Sequence, residues 1–260
     1  MVGEYGKFRE KSGKPVLFPW KRKRSGAGAR PSAAEAGESE MKILVVCQCY
    51  DPEPFRIGDI CRGLTERGHQ VTVVTGVPNY PEGEIYPGYE DGKRMDEVLD
   101  GVRVHRCPCA PRKKGAVNRF INYYSFVHAA NRYLGKLEED FDVVFANQLS
   151  PVMMAGPAIR WAKKHGRKTL LYCLDLWPES LLFGGIKAGS PVWRYFLGVS
   201  RKIYGGADAI AVSSHGFLSY FRDVLKMDDS RIAYLPQYAE SLFEDLPQPQ
   251  CKRPGVDFLF

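Results

Sequence analysis

Apolar residues fall along the chain in short runs that alternate with stretches of helical spacing. Lys42–Cys49 reads as one apolar run, the pattern of a strand buried on both faces as a parallel sheet requires. Ile57–Arg67 follows with helical spacing and stops at Gly68, and Gln70–Thr75 is the next β-branched strand, so the segment forms a βαβ unit. Asp100-Gly101, set between apolar residues within Val98–Cys107, signals a hairpin inserted beside the main sheet. Beyond it the spacing predicts a long helix over 117–137, a strand at Val143–Ala146, a helix over Val152–Lys164 and a strand at Thr169–Leu174. A helix near 192–204, a strand at Ala209–Ser213, a helix over 216–226 and a strand at Arg231–Leu235 complete the alternation. The expected fold is α/β, a doubly wound Rossmann-like parallel sheet with an inserted β-hairpin.

The two ends break this rhythm. Residues 1–40 show neither periodicity, carry the basic cluster Lys21 to Arg24, and read as a disordered basic extension. Met41 opens the apolar pattern, so the expected domain is 41–238. Residues 239–255 are rich in Pro, Gln and acid and read as an interdomain linker. Val256–Phe260 starts a fresh apolar run, expected to be the truncated first strand of a second domain.

Composition narrows the classes. With 260 residues, 44% of them hydrophobic, the chain can bury a full core. The formal charge is +7, but residues 1–40 hold nine Lys/Arg against five acids, which leaves only +3 for the rest. Seven cysteines form no CxxC pair and no secretory signal precedes the domain, so buried thiols in a reducing cytoplasm are expected and no metal site is. No apolar run reaches the roughly eighteen residues of a membrane-spanning helix.

Ligands of such a sheet bind outside the carboxyl ends of its strands, so candidate chemistry is sought in the following loops. After the first strand, Glu53, Arg56 and Asp59 surround a turn that enters a helix. Two readings stand side by side: an anion site at the helix N-terminus, or Asp59 as a cap with Glu53 paired to Arg56. No GxGxxG follows this strand, which counts against a dinucleotide site. After the second strand, Pro78-Asn79-Tyr80-Pro81-Glu82-Gly83 is rigid enough for a shaped binding loop, or for a structural turn with Tyr80 packed down. After Thr169–Leu174 comes Asp175-Leu176-Trp177-Pro178-Glu179-Ser180. There Asp175 and Trp177 suit gripping a polar acceptor and orienting a hydroxyl, while Pro178 and Glu179 also fit a plain helix entry. His215 follows Ser213-Ser214 at another strand end, where polar groups face a cleft. No nucleophile elbow is visible, so a hydrolase is not expected.

These motifs carry a resemblance. From Met41 to about Tyr238 the chain resembles the N-terminal, acceptor-side domain of family 4 glycosyltransferases, in particular the bacterial WbuB-like subgroup that builds lipid-linked surface polysaccharides. The matching pieces are Pro52-Glu53 with Phe55-Arg56-Ile57 and Asp59, Pro78 to Gly83, Asp175 to Ser180, and Tyr234-Leu235-Pro236. Position 58 is Gly where the subgroup carries Asn, and position 174 is Leu where Gln is common. The resemblance implies one half of a GT-B fold, retaining transfer from a nucleotide-sugar donor as co-substrate, no cofactor and no metal. It implies Asp175 and Glu53 as catalytic residues, with Arg56, Asp59, Asn79, Tyr80, Trp177, Glu179, Ser213 and His215 binding substrate. With the C-terminal donor domain missing, the chain alone is expected not to turn over.

The partners expected are a nucleotide sugar, a lipid-linked saccharide acceptor and an anionic membrane surface met peripherally at its cytoplasmic face. Gly101–Leu137 and Ser180–Ala207 contain no acid and interleave basic residues with aromatics, which suits that surface. The same pattern is met in nucleic-acid binders, though no nucleic acid is expected here, and amphipathic helices with solvated charges would also produce it. Rival readings are a non-catalytic lipid or polysaccharide-precursor binding module and a sugar-nucleotide epimerase relative.

Overall fold

A computed structural model describes residues 39–113 and 115–238; the extension, the linker and the final apolar run expected at the two ends lie outside the described residues, apart from Ser39 and Glu40. The strands are β1 (Lys42–Val46), β2 (Gln70–Gly76), β3 (Asp96–Leu99), β4 (Val102–Cys107), β5 (Val143–Gln148), β6 (Lys168–Cys173), β7 (Ala209–Val212) and β8 (Ile232–Tyr234). Among the described residues they form one sheet in the order β3-β4-β2-β1-β5-β6-β7-β8, parallel throughout except for the β3–β4 pair. The helices are α1 (Ile57–Glu66), α2 (Ala116–Leu134), α3 (Gly156–His165), α4 (Pro191–Tyr204) and α5 (His215–Asp223).

Alternate residues of β1 explain the two layers. Ile43 and Val45 point into a core shared with Ile57 and Cys61 of α1, while Leu44 and Val46 enter the larger core containing Phe126, Ala158 and Trp161. Two-sided burial is why β1, β2 and β7 read as apolar runs rather than alternating ones. The helix ends obey local chemistry. Ser190 caps α4 by accepting from Trp193 N at 3.3 Å, Ser214 caps α5 by accepting from Gly216 N at 3.2 Å, and α3 stops at Gly166 in the left-handed region.

The expected hairpin forms at one edge of the sheet. Asp100 and Gly101, both with positive φ, turn β3 back onto β4, and β4 itself pairs in parallel with β2 as a member of the main sheet. The helix expected over Val152–Lys164 is a 3-10 turn, Val152–Ala155, followed by α3, because Gly156-Pro157 begins a new helix. The six described cysteines are free thiols: four buried, Cys49 and Cys109 half-buried. Burial pushes Cys61, Cys107, Cys109 and Cys173 up to about 12, so they stay protonated at neutral pH.

Candidate functional site

The strand order reverses between β1 and β5, and the crevice outside their carboxyl ends is where a doubly wound sheet takes ligands. Two adjoining hollows open there, with Phe55 and Leu149 on the wall of both.

The smaller, of about 210 Å³, is polar and aromatic, and draws on the loops after β1, β2, β4 and β6. Asp175, Asn79, Tyr80 and Arg112 share its lining with Gln48, Asn122 and Tyr123. Asp175 is fixed from two sides. Its carbonyl accepts from Nε2 of buried Gln148, on the neighbouring strand β5, at 3.0 Å, and its carboxylate Oδ1 accepts from Ser180 Oγ at 2.6 Å. Gln148 is itself held by the Tyr204 hydroxyl at 3.1 Å. Opposite, Asn79 Oδ1 accepts from Arg112 N at 2.9 Å, and the Arg112 guanidinium lies 5.3 Å from the centre of the Tyr80 ring. A β-carbon at Gly83 would stand 2.3 Å from Arg112 O, so glycine permits this close seam between the two loops.

Glu53 organises the wall from behind. It is buried, with Oε1 accepting from the backbone N–H of Asn79 at 3.0 Å and Tyr80 at 2.8 Å, and Oε2 accepting from Tyr50 N at 3.3 Å. Burial raises its pKa above the ordinary carboxylate value, opposed by those three N–H groups and by Arg106. Its hydrogen bonds go to the loops it staples, and it lines neither hollow.

The larger hollow, of about 440 Å³, is mostly apolar, walled by Ile57, Phe145, Tyr172 and Leu235. Arg56 is at its rim, donating from Nη1 to Tyr238 O at 3.0 Å with its guanidinium 5.3 Å from the Tyr238 ring centre. Asp59 neither caps α1 nor faces Arg56; it accepts from Arg62 Nη1 at 2.9 Å. The Glu53–Arg56 pair weighed for this turn does not form, since Glu53 accepts from backbone N–H groups and Arg56 donates to Tyr238 O.

The remaining candidates stand apart. Trp177 is buried, donates through Nε1 to Ser150 Oγ, and packs edge-on against Phe196 at 5.3 Å, so it supports the Asp175 loop from inside. Glu179 accepts from the Tyr220 hydroxyl at 2.8 Å. Ser213 follows β7, and exposed His215 stacks on Tyr234 at 3.9 Å. None of these four lines either hollow. Sequence reasoning missed Gln48 and Asn122, and noted Arg112 and Tyr123 only within the acid-free basic and aromatic segment Gly101–Leu137. Among the described residues no group of three or more His, Cys, Asp or Glu side chains is placed to hold a metal ion.

This geometry brings a carboxylate, a guanidinium, amides and aromatic faces into one hollow, the set that binds a hydroxyl-rich, anionic molecule. Residues 55–237 match the family described as Glycosyl transferase 4-like domain, and the chain belongs to that family. WcaI of Escherichia coli (strain K12), named as a colanic acid biosynthesis glycosyl transferase, is 28% identical over 159 residues, covering 56% of this chain and 37% of its own length. Among solved structures, the catalytic domain of starch synthase IV from Arabidopsis thaliana, bound to ADP and acarbose, aligns with a TM-score of 0.50 at 13% identity over 76% of this chain and 52% of its own. UGT89C1 of Arabidopsis thaliana aligns with a TM-score of 0.50 at 12% identity over 83% and 53%. The chain thus spans about half or less of these relatives' lengths. The fold is the Rossmann-like α/β layer of GT-B glycosyltransferases.

Proposed function

We propose that this chain is the acceptor-side lobe of a retaining glycosyltransferase that moves a sugar from a nucleotide-sugar donor to a lipid-linked saccharide in surface-polysaccharide synthesis at the cytoplasmic membrane face. The observation that carries the reading is the polar hollow in which Asp175, Arg112 and Asn79 meet outside the sheet's carboxyl edge. Asp175, held by Ser180, accepts the hydrogen bond of the acceptor hydroxyl and orients it. Arg112 meets a phosphate of the acceptor, and the Tyr80, Tyr123 and Phe55 rings pack on sugar faces.

In the reaction, the bond between the sugar's anomeric carbon and the nucleotide diphosphate breaks as the acceptor oxygen bonds to that carbon on the same face. The hydroxyl proton passes to the departing diphosphate, so no metal or redox group enters the balance. The diphosphate's growing charge needs donors placed beforehand, and Arg56 at the neighbouring rim is close to where such a leaving group would lie. Transfer in this reading also needs a lobe that presents the donor, so the described lobe alone binds acceptor without turning it over.

The test is calorimetric titration of the chain with a water-soluble saccharide diphosphate. Binding that weakens about tenfold or more in Asp175→Asn and in Arg112→Ala supports the reading. Equal binding by wild type and both variants, or no binding at all, refutes it.

A further inference from the structure

Ten large apolar side chains are exposed among the described residues, and seven of them sit on three segments: Val117, Ile121 and Tyr124 on α2, Leu182 and Phe183 on the Glu179–Gly184 turn, and Val192 and Tyr195 on α4. Phe183 is 97% exposed, Val117 72% and Tyr195 62%, values that leave these side chains without protein cover. The segments are joined beneath. Phe120 of α2 stacks on Tyr124 at 6.4 Å and on Phe196 of α4 at 5.8 Å, Tyr195 packs edge-on against Phe196 at 5.1 Å, and Trp177, two residues before the turn, packs on the same Phe196. The exposed tips of α2 and α4 thus share one aromatic base, and Trp177 ties the chain leading into the turn to it.

The charge of this surface is one-sided. Gly101–Leu137 and Ser180–Ala207 contain no Asp or Glu, while Arg119, Lys187 and Arg194 are exposed within these segments. Apolar tips rimmed by unopposed cations fit the interface of an anionic bilayer, where rings and aliphatic groups enter the acyl boundary and Lys/Arg meet lipid phosphates. A nucleic acid would use the cations but leave seven apolar tips in water.

We infer that this surface inserts shallowly into an anionic lipid bilayer, led by Phe183, its most exposed side chain. The inference deepens the membrane side of the proposed function and rests on it for the acceptor's anchor. Helix α2 supplies the link: Asn122 and Tyr123 line the polar hollow while Ile121 and Tyr124 project to the exposed surface. A saccharide whose lipid stays in the membrane would thus meet the hollow from the side on which the protein lands.

Flotation of the full chain with phosphatidylglycerol-containing vesicles tests this. Wild type is expected to float, more weakly with phosphatidylcholine alone. The combined change Ile121→Ser, Phe183→Ser, Tyr195→Ser lowers the bound fraction on the order of tenfold or more with an unchanged thermal melt. Changing Arg119, Lys187 and Arg194 to Gln removes most of the salt dependence. A wild-type chain that stays in solution, a triple Ser variant that floats like wild type, or retention on RNA or DNA in preference to vesicles overturns the inference. Asp175→Asn keeps flotation while losing saccharide diphosphate binding, and the triple Ser variant does the reverse, so failure of this surface and failure of the acceptor hollow are told apart.

Discussion

The Asp51 carboxylate fills the space that a β-carbon at position 58 would need: such an atom would lie 2.2 Å from Asp51 Oδ2. Gly58 is buried in the first turn of α1, and the Asp51 carboxylate rests against it in space that a side chain at position 58 would take. The glycine that departs from the resembling subgroup's Asn therefore has a local reason. Gly58→Ala is expected to destabilise the chain by about 1–3 kcal/mol through overpacking. In the Asp51→Ala background the same change should cost less, with a coupling of about 1–2 kcal/mol in urea melts. Identical costs in both backgrounds would show that the contact is not what selects glycine.

Glu53 is a staple whose removal strands three backbone donors. Glu53→Ala is expected to cost about 3 kcal/mol or more, since the N–H groups of Tyr50, Asn79 and Tyr80 lose their acceptor where the residues are buried or half-buried. Its pH dependence has a definite sign. The folded pKa is raised, so between the unfolded and folded values the native chain binds more protons than the unfolded one, and stability falls as pH rises through that window. Glu53→Gln lacks this titration, so the stability of wild type relative to Glu53→Gln should decline as pH climbs from the ordinary Glu value through the raised one. A difference that grows over that range would contradict the burial argument.

How much of this was legible beforehand depends on the kind of signal. Apolar runs and helical spacing are local, and they located all the strands of the sheet to within a few residues because two-sided burial writes itself directly into β1, β2, β5, β6 and β7. Asp100-Gly101 announced its turn for the same reason, since both residues need positive φ. What the turn could not reveal was the partner of β4. The parallel pairing of β4 with β2 brings the loop after β4, and with it Arg112, to the sheet's carboxyl edge. Trp177 shows the opposite error: an aromatic beside an acid in a strand-end loop looks like a binding residue, but burial against Phe196 is set by packing from another helix. Glu53 and Asp175 look alike in sequence as acids after a strand; only the backbone N–H groups around the first separate a staple from a group that faces the hollow.

Arg106 offers a test of that hidden packing. Its side chain is fully buried, donates through Nε to Glu97 Oε1 at 2.7 Å and through Nη2 to Asp51 O at 2.5 Å, and lies 4.6 Å from the Tyr89 ring centre. Arg106→Met is expected to destabilise by about 3 kcal/mol, because it leaves the largely buried Glu97 carboxylate short of its main partner. Arg94 lies 3.1 Å from Glu97 Oε2 but is half exposed and offsets only part of that loss. Adding Glu97→Gln should recover stability in thermal melts. If the double variant melts no higher than Arg106→Met, the buried pair is not the source of the cost.

Asp175 and Ser180 separate orientation from mere presence of a carboxylate. Their 2.6 Å hydrogen bond restricts the acid to one direction across the hollow. In the assembled transferase, with donor lobe and acceptor supplied, Asp175→Asn is expected to lower kcat by about 10²–10³, because the amide cannot take the hydroxyl's hydrogen bond with the same strength. Ser180→Ala keeps the acid and frees its rotamer, so a loss of roughly tenfold in kcat with KM little changed is expected. Ser180→Thr, which retains the hydroxyl, should restore most of the rate. A kcat for Asp175→Asn close to wild type would remove Asp175 from the reacting cleft. An equally large loss in Ser180→Ala that Thr does not rescue would mean the pair holds the loop rather than aims the acid.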